Sequence, residues 1–365
     1  MPRRLWLDWI VCTLVLMLAY AARGWLLAYL LQGRYPWWAL LVDVAALAVL
    51  VCLFRTFDLG LRVFLHRRLE GRFHAEIPRR WQFGADALRF VIVFAVAAPF
   101  LVTLSQLHPQ RITCAVHPRD LGLPCEDVTL DADGLALAGW HLPGEEEDRP
   151  AVLVTHGVGA NKQNFLGVAC TLHRQGYHVF LFDFRAHGDS DGAISTLGLR
   201  EARDVEAAIR WIRARHPHSP LYALGYSMGA AALIQAAQAG CICDKYVLDS
   251  TFARLENSAR HSMASYYFPP PLISPWWHTS RCWAYLLTGA DLQTVCPEEQ
   301  LYLLADRPIQ FIHGESDATT SMSDSVALHE RAGPKCELWI VAGAAHLQAL
   351  LHPEYLARVE QFLAR

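Results

Sequence analysis

The chain has 365 residues, of which 53% are hydrophobic and only 18% charged, and its formal net charge is −3. Intrinsic disorder requires low hydrophobicity with high net charge, so this composition excludes it. The near-neutral balance also excludes a whole-chain nucleic-acid binder, which needs a surplus of cations to face the phosphates.

The charge is unevenly placed. Residues 1–107 carry 12 Arg, no Lys and six acidic residues, whereas the rest carries 20 basic and 29 acidic residues. A basic, apolar front thus precedes an acidic, globular back. Three apolar stretches mark the front, at about 9–31, 37–54 and 90–107. Each is long enough to span a hydrocarbon core about 30 Å thick. Eight Arg residues between Arg55 and Arg89 crowd the segment before the third stretch, and Arg3 and Arg4 the start. The positive-inside rule puts these cations in the cytoplasm. Three crossings then predict an integral membrane protein, touching membrane lipids through residues 1–107. Its domain over 108–365 is expected on the extracytoplasmic side, the periplasm for a bacterial inner membrane.

The back half alternates short β-like runs with helical patterns, which predicts an α/β sheet. Val128–Leu130 and Leu135–Trp140 flank an Ala-Asp-Gly turn and predict a hairpin. Further strands are expected at Ala151–Thr155, Tyr177–Phe184, Leu221–Leu224, Tyr246–Leu248, Ile309–Ile312 and Leu338–Val341. Between them, residues 201–214 place Ala202, Val205, Ala208, Ile209 and Ile212 at helical spacing, and the Ala-rich segment 228–239 reads as a buried helix.

Gly225-Tyr226-Ser227-Met228-Gly229 follows one of these strands and opens a helix. That is the setting of a nucleophile elbow. A serine hydroxyl is a poor nucleophile and needs a base that an acid orients. In this arrangement the chain order is Ser, acid, His. Asp317 follows the strand Ile309–Ile312, and His346 follows the strand Leu338–Val341. Both stand past strand ends, where active sites of parallel sheets form. The reading is therefore Ser227 as nucleophile, His346 as general base and then acid, and Asp317 as the residue that orients His346. Glu315 and Asp249 are alternative acids. The oxyanion of an acyl-transfer intermediate needs preorganised N–H donors. The backbone amides of Met228 and of Val158, after His156-Gly157, are the expected pair.

These pieces resemble the α/β-hydrolases, and among them the serine-aminopeptidase-like branch that includes membrane-anchored esterases and thioesterases. The resemblance rests on Asp133-Gly134, the segment from His156 to Asn161, the segment from Phe182 to Ser190, the elbow, Asp249-Ser250, the segment from His313 to Asp317, and the segment from Gly343 to His346. It covers about residues 126–363 and implies a mostly parallel sheet with helices on both faces. The chain departs from it at Ala186, where the family often has Gly.

Residues 253–305 form an insertion at the place where this fold often carries a lid. Its aromatic residues, among them Tyr266, Tyr267, Trp276, Trp277 and Trp283, either form an apolar acyl-binding cap or pack the insertion onto the sheet. Of the ten cysteines, eight fall in the back half. Cys114 with Cys125 and Cys282 with Cys296 are the local bridges an extracytoplasmic domain permits; buried free thiols are the alternative. There is no dinucleotide fingerprint, P-loop or zinc-type Cys/His spacing, so neither a cofactor nor a metal is expected. The expected function is a membrane-anchored serine hydrolase that cleaves a carboxylic ester or thioester of a small-molecule or lipid-like substrate through an acyl-enzyme. A peptidase or amidase of the same fold and a non-catalytic membrane scaffold are the alternatives.

Overall fold

Eight strands join in one sheet of order β1-β2-β4-β3-β5-β6-β7-β8. They are β1 (Glu126–Ala132), β2 (Leu135–Leu142), β3 (Ala151–Thr155), β4 (His178–Phe182), β5 (Leu221–Tyr226), β6 (Lys245–Asp249), β7 (Ile309–Gly314) and β8 (Cys336–Val341). The computed structural model describes residues 95–365, which belong to a compact unit running from Val91 to Arg365. Strand β2 is antiparallel to β1 and β4, and all other pairings are parallel.

The central strands are continuous apolar runs because helices cover both faces of the sheet. Side chains alternate between those faces. Val152, Val154, Val179, Leu181 and Leu224 join the core with the helices Leu166–Arg174 and Tyr355–Ala364. Leu153, Phe180, Phe182, Ala223 and Phe311 join the core with the helices Glu201–Arg215 and Met228–Ala236. The helix Glu201–Arg215 buries the stripe its spacing predicts, from Ala202 to Ile212.

The register aligns the strand ends that matter for function. Thr155 pairs with Gly225, Tyr226 with Asp249, Asp249 with Ile312, and Gly314 with Val341. The turns after β3, β5, β6, β7 and β8 therefore open along one edge of the sheet.

Between β6 and β7 the chain inserts the helices Leu255–Ser265 and Pro270–Thr288, followed by short turns. Trp277 is buried there with Phe252, Leu255, Leu292 and Val295, so part of the aromatic content packs the insertion onto the sheet domain. Tyr266, Tyr267 and Tyr285 are exposed.

The expectation of an integral membrane protein with an extracytoplasmic catalytic domain is corrected here. Among the described residues, no helix is long and apolar enough to cross a membrane. The stretches about 9–31 and 37–54, and the Arg-rich segment that set the orientation, lie outside the described residues. The described part of the third stretch is a helix over residues 95–107. Protein covers one side of it: Phe100, Leu104 and Leu107 are buried, the Phe100 ring meets the edge of Trp283 at 4.9 Å, and the Trp283 indole N–H donates to the Val96 carbonyl at 3.2 Å. An apolar run reads the same whether protein or lipid buries it, and protein buries this one in part.

The expected bridges are absent as well. Cys114, Cys125, Cys282 and Cys296 are free thiols, as are the other four cysteines of the described residues.

At the opposite end of the sheet from these turns, His141 on β2, His178 at the start of β4 and His216 after the helix Glu201–Arg215 pack together, all buried. The Nε2 atoms of His216 and His141 lie 3.1 Å apart, and the Glu126 carboxylate accepts from His141 Nδ1 at 3.3 Å. Burial, with His178 and His141 adding, pushes His216 down to about 4. The sign follows from linkage. Below about pH 6.5 the unfolded chain takes up a proton that the native state refuses, so stability falls with pH until about pH 4. In that window the slope from this one group is at most about 1.4 kcal/mol per pH unit. Thermal melts of wild type and His216→Phe from pH 7 to 4.5 are expected to show a shallower acid decline in the variant; parallel curves would refute the assignment.

Candidate active site

Ser227 stands between β5 and the helix Met228–Ala236 with φ 52° and ψ −118°, a left-handed conformation that a non-glycine residue adopts only under tertiary constraint. Its N–H donates to the Asp249 carbonyl at 2.8 Å, and its carbonyl accepts from Ala231 N–H at 3.1 Å, which opens the helix. The elbow also needs Gly229. A Cβ there would lie 2.6 Å from the His156 carbonyl oxygen and 2.7 Å from that of Thr155. Without that atom the helix start packs directly on the end of β3.

The turns after β7 and β8 bring the other two members. Gly314 ends β7, and a Cβ on it would lie 2.4 Å from the Ala344 carbonyl. The two turns close on one another there, joined by Ser316 N–H to the Ala344 carbonyl at 2.9 Å. The result is a relay. The Ser227 hydroxyl meets His346 Nε2 at 3.1 Å, and His346 Nδ1 meets Asp317 Oδ2 at 2.7 Å. Asp317 is buried and fully engaged. Its Oδ1 accepts from Thr319 N–H at 2.8 Å and Thr320 N–H at 3.0 Å, and its Oδ2 accepts from the Thr320 hydroxyl at 2.9 Å. Burial works to raise this carboxyl, but hydrogen bonds from His313 and His346, with the Thr320 amide, outweigh it and hold Asp317 far below the ordinary range. It stays ionised beside the imidazole.

The alternative acids stand elsewhere. Glu315 is exposed and accepts from the Gly343 N–H at 2.9 Å. Asp249 is buried, accepts from the Ser250 hydroxyl at 2.9 Å, and is pushed up to about 6 by burial. Neither is hydrogen-bonded to His346.

The turn after β3 holds Val158, half-exposed, and Met228 is the first residue of its helix. The N–H groups of a helix's first turn have no acceptor within the helix and carry its positive end. A Cβ on Gly157 would lie 3.2 Å from Ser227 Cβ, so this turn runs beside the elbow. His156 is buried and bridges two loops: its Nε2 accepts from Phe184 N–H at 3.0 Å, and its Nδ1–H donates to the Gly157 carbonyl at 2.8 Å. Burial, with His187 adding, holds it well below the ordinary range and so neutral. Because a peptide is planar, fixing the Gly157 carbonyl also fixes the direction of the Val158 N–H.

The sequence displays His156 and His313 but assigns them no task. His313 is buried, with Nδ1 2.7 Å from the Ser325 hydroxyl and Nε2 3.4 Å from Asp317 Oδ2. Two local signals mark them: each histidine directly follows an apolar run and precedes a glycine.

Among the described residues, two groups of side chains have a metal-binding composition. Cys114, Asp183 and Asp189 surround a position whose cation is already the Lys162 ammonium, 2.5 Å from Asp183 and 2.9 Å from Asp189. In the histidine cluster the rings of His178 and His216 overlap at 3.9 Å with a tilt of 34°. Lone pairs lie in the ring planes, so these two do not converge on one point. Both nitrogens of His178 are also engaged, by Gly144 N–H and by the Glu146 carbonyl. Neither group fits a metal.

Comparison with known proteins agrees with this architecture. Residues 150–268 match the family model described as the alpha/beta hydrolase fold. The chain is 26% identical over 244 residues to the protein YqkD of Bacillus subtilis, a match covering 65% of this chain and 78% of that one. It is 24% identical over 271 residues to the lysophosphatidylserine lipase ABHD12 of Xenopus tropicalis, covering 67% of this chain and 65% of that one. Among solved structures, the Pyrococcus furiosus esterase Pf2001 superposes with a TM-score of 0.57 at 25% identity, covering 71% of this chain and 99% of that one. The described residues have the α/β-hydrolase fold.

Proposed function

We propose that the protein is a serine hydrolase that cleaves a carboxylic ester or thioester through an acyl-enzyme. One observation carries this reading: the hydroxyl of Ser227, held on a strained turn at a helix start, faces an imidazole that a buried, ionised carboxylate orients. His346 Nε2 takes the Ser227 proton as Oγ attacks the acyl carbonyl. The N–H groups of Met228 and Val158 receive the oxyanion. The imidazolium then protonates the departing oxygen or sulfur as its bond to the acyl carbon breaks, so that an alcohol or thiol leaves and the acyl group stays on Ser227. Water, deprotonated by the same imidazole, attacks that ester and restores the serine. Asp317 remains a carboxylate throughout and stabilises the imidazolium.

Similarity to an esterase and to a lysophosphatidylserine lipase supports ester over amide cleavage and a small-molecule or lipid-like acyl substrate. In this reading the insertion between β6 and β7 caps the site, and its exposed Tyr266, Tyr267 and Leu272 supply apolar surface for an acyl chain.

The test is a fluorophosphonate probe together with p-nitrophenyl esters of graded chain length and aminoacyl p-nitroanilides. Wild type is expected to be labelled and to turn over the esters faster than the anilides, while Ser227→Ala is neither labelled nor active. Equal labelling of Ser227→Ala would end the serine mechanism, and faster anilide cleavage would make the protein a peptidase.

A further inference from the structure

Asp317 is set from two sides. Its carboxylate faces the sheet domain, while the backbone of its loop is held by the insertion. Three side chains of the helix Leu255–Ser265 make that second contact. His261 Nε2 lies 2.8 Å from the Asp317 carbonyl oxygen, the Ser258 hydroxyl donates to the Thr319 carbonyl at 3.1 Å, and the Asn257 amide donates to Asp324 Oδ1 at 3.0 Å. Residues 257, 258 and 261 share one side of a helix. The acid loop and the start of the helix Met322–Ala332 that follows it therefore lean on that side. A carbonyl can only accept, so His261 Nε2 carries the proton and donates. The same helix buries Leu255 and packs Ala259 and Met263 with Trp277 and Val295, which makes it one body with the rest of the insertion.

We infer that His261 is a positioning residue for the triad acid, and that the insertion, through His261 and Ser258, sets the aim of Asp317 at His346. The inference rests on the serine-hydrolase reading above. The carbonyl of Asp317 and its side chain leave neighbouring atoms, so a tilt of that peptide turns the carboxylate. Meanwhile the Thr319 and Thr320 amides that hold Oδ1 sit in the segment Ser258 grips. A loosened loop would lengthen the 2.7 Å contact between Asp317 and His346. That contact orients the base and fixes its tautomer. A shift of the insertion, as when a long acyl chain enters beneath it, would thus be felt at the acid.

The experiment compares wild type, His261→Leu, His261→Gln and Ser258→Ala on p-nitrophenyl acetate, an ester too short to need the insertion for binding. His261→Leu is expected to lower kcat by roughly ten- to a hundredfold with KM little changed, as misplacement at a distance does. His261→Gln, whose amide reaches the same carbonyl, is expected to restore most of kcat. Ser258→Ala gives the same reading at a milder level and serves if His261→Leu does not fold. A wild-type kcat in both His261→Leu and Ser258→Ala would overturn the inference, as would a glutamine variant no better than leucine. Ser227→Ala separates the two levels: if it stays active, the serine-hydrolase reading falls and this one with it. If it is dead while the His261 and Ser258 variants match wild type, only the positioning role falls.

Discussion

Asp317→Asn is expected to lower kcat by about 10⁴-fold while leaving substrate binding and the fold nearly intact, the scale of loss that follows when a triad base is held in the wrong tautomer. The hydrogen-bond pattern dictates that outcome. Oδ1 of Asp317 accepts two backbone N–H groups, from Thr319 and Thr320. An asparagine must put its oxygen there, since an amide NH₂ cannot accept. Its NH₂ then occupies the Oδ2 position and points at His346 Nδ1, which must become the acceptor. The imidazole proton moves to Nε2, the atom that faces the Ser227 hydroxyl. A donor meets a donor, and the base is lost. The hydroxyl of Thr320 can rotate to relieve its own clash, and His313 Nε2 keeps the Thr320 carbonyl as its acceptor at 3.1 Å, so the structural cost is small. Steady-state kinetics, far-UV circular dichroism and fluorophosphonate labelling rates check this together. By contrast, Glu315→Gln and Asp249→Asn are expected within a few-fold of wild type, because neither carboxyl is hydrogen-bonded to His346. A loss on Asp249→Asn comparable to that on Asp317→Asn would move the acid to the end of β6.

Much of this arrangement is legible in the chain because its determinants are local. The central strands are buried on both faces and so are written as unbroken apolar runs, as in Ala151–Thr155 and Ile309–Ile312. Strand ends are less legible: β5 continues through Gly225 to Tyr226 and β7 through His313 to Gly314, where glycine and histidine interrupt the apolar signal. The serine elbow is legible because its two glycines stand at fixed spacing around the serine, Gly225 required by the helix that follows and Gly229 by the end of β3. Chain order then singles out Asp317 and His346, which the fold brings together. What is not legible depends on partners distant in sequence. Nothing near His261 reveals that it will meet a carbonyl 56 residues later. Nor does the apolar run over 90–107 reveal that Trp283, from the insertion, will cover Phe100. Cysteine spacing is equally silent, since a bridge depends on how the backbone brings two side chains together.

Lys162→Met is the substitution expected to cost most stability, about 3–5 kcal/mol, the range for removing one partner of a buried ion pair. Lys162 is 2% exposed and its ammonium lies against Asp183 and Asp189 and 4.7 Å from the centre of the Trp140 ring. Burial would lower its pKa, but Asp183 outweighs that and raises it, so the side chain is a cation at any ordinary pH. Methionine fills the same volume yet leaves the fully buried Asp183 carboxylate facing sulfur. That carboxylate also accepts from the N–H groups of Lys162 and Asp189, so it joins the turn after β3 to the turn after β4. Loss of the pair therefore loosens the turn that carries His156 and Val158 as well as lowering the melting temperature, by about 10 °C for a domain of this size. A double-mutant cycle with Asp183→Asn isolates the charge term. The double variant is expected to be more stable than the sum of the single losses predicts, because it leaves no unpaired charge in the core. Additive losses would mean that Lys162 contributes through its packing on Trp140 and not through its charge.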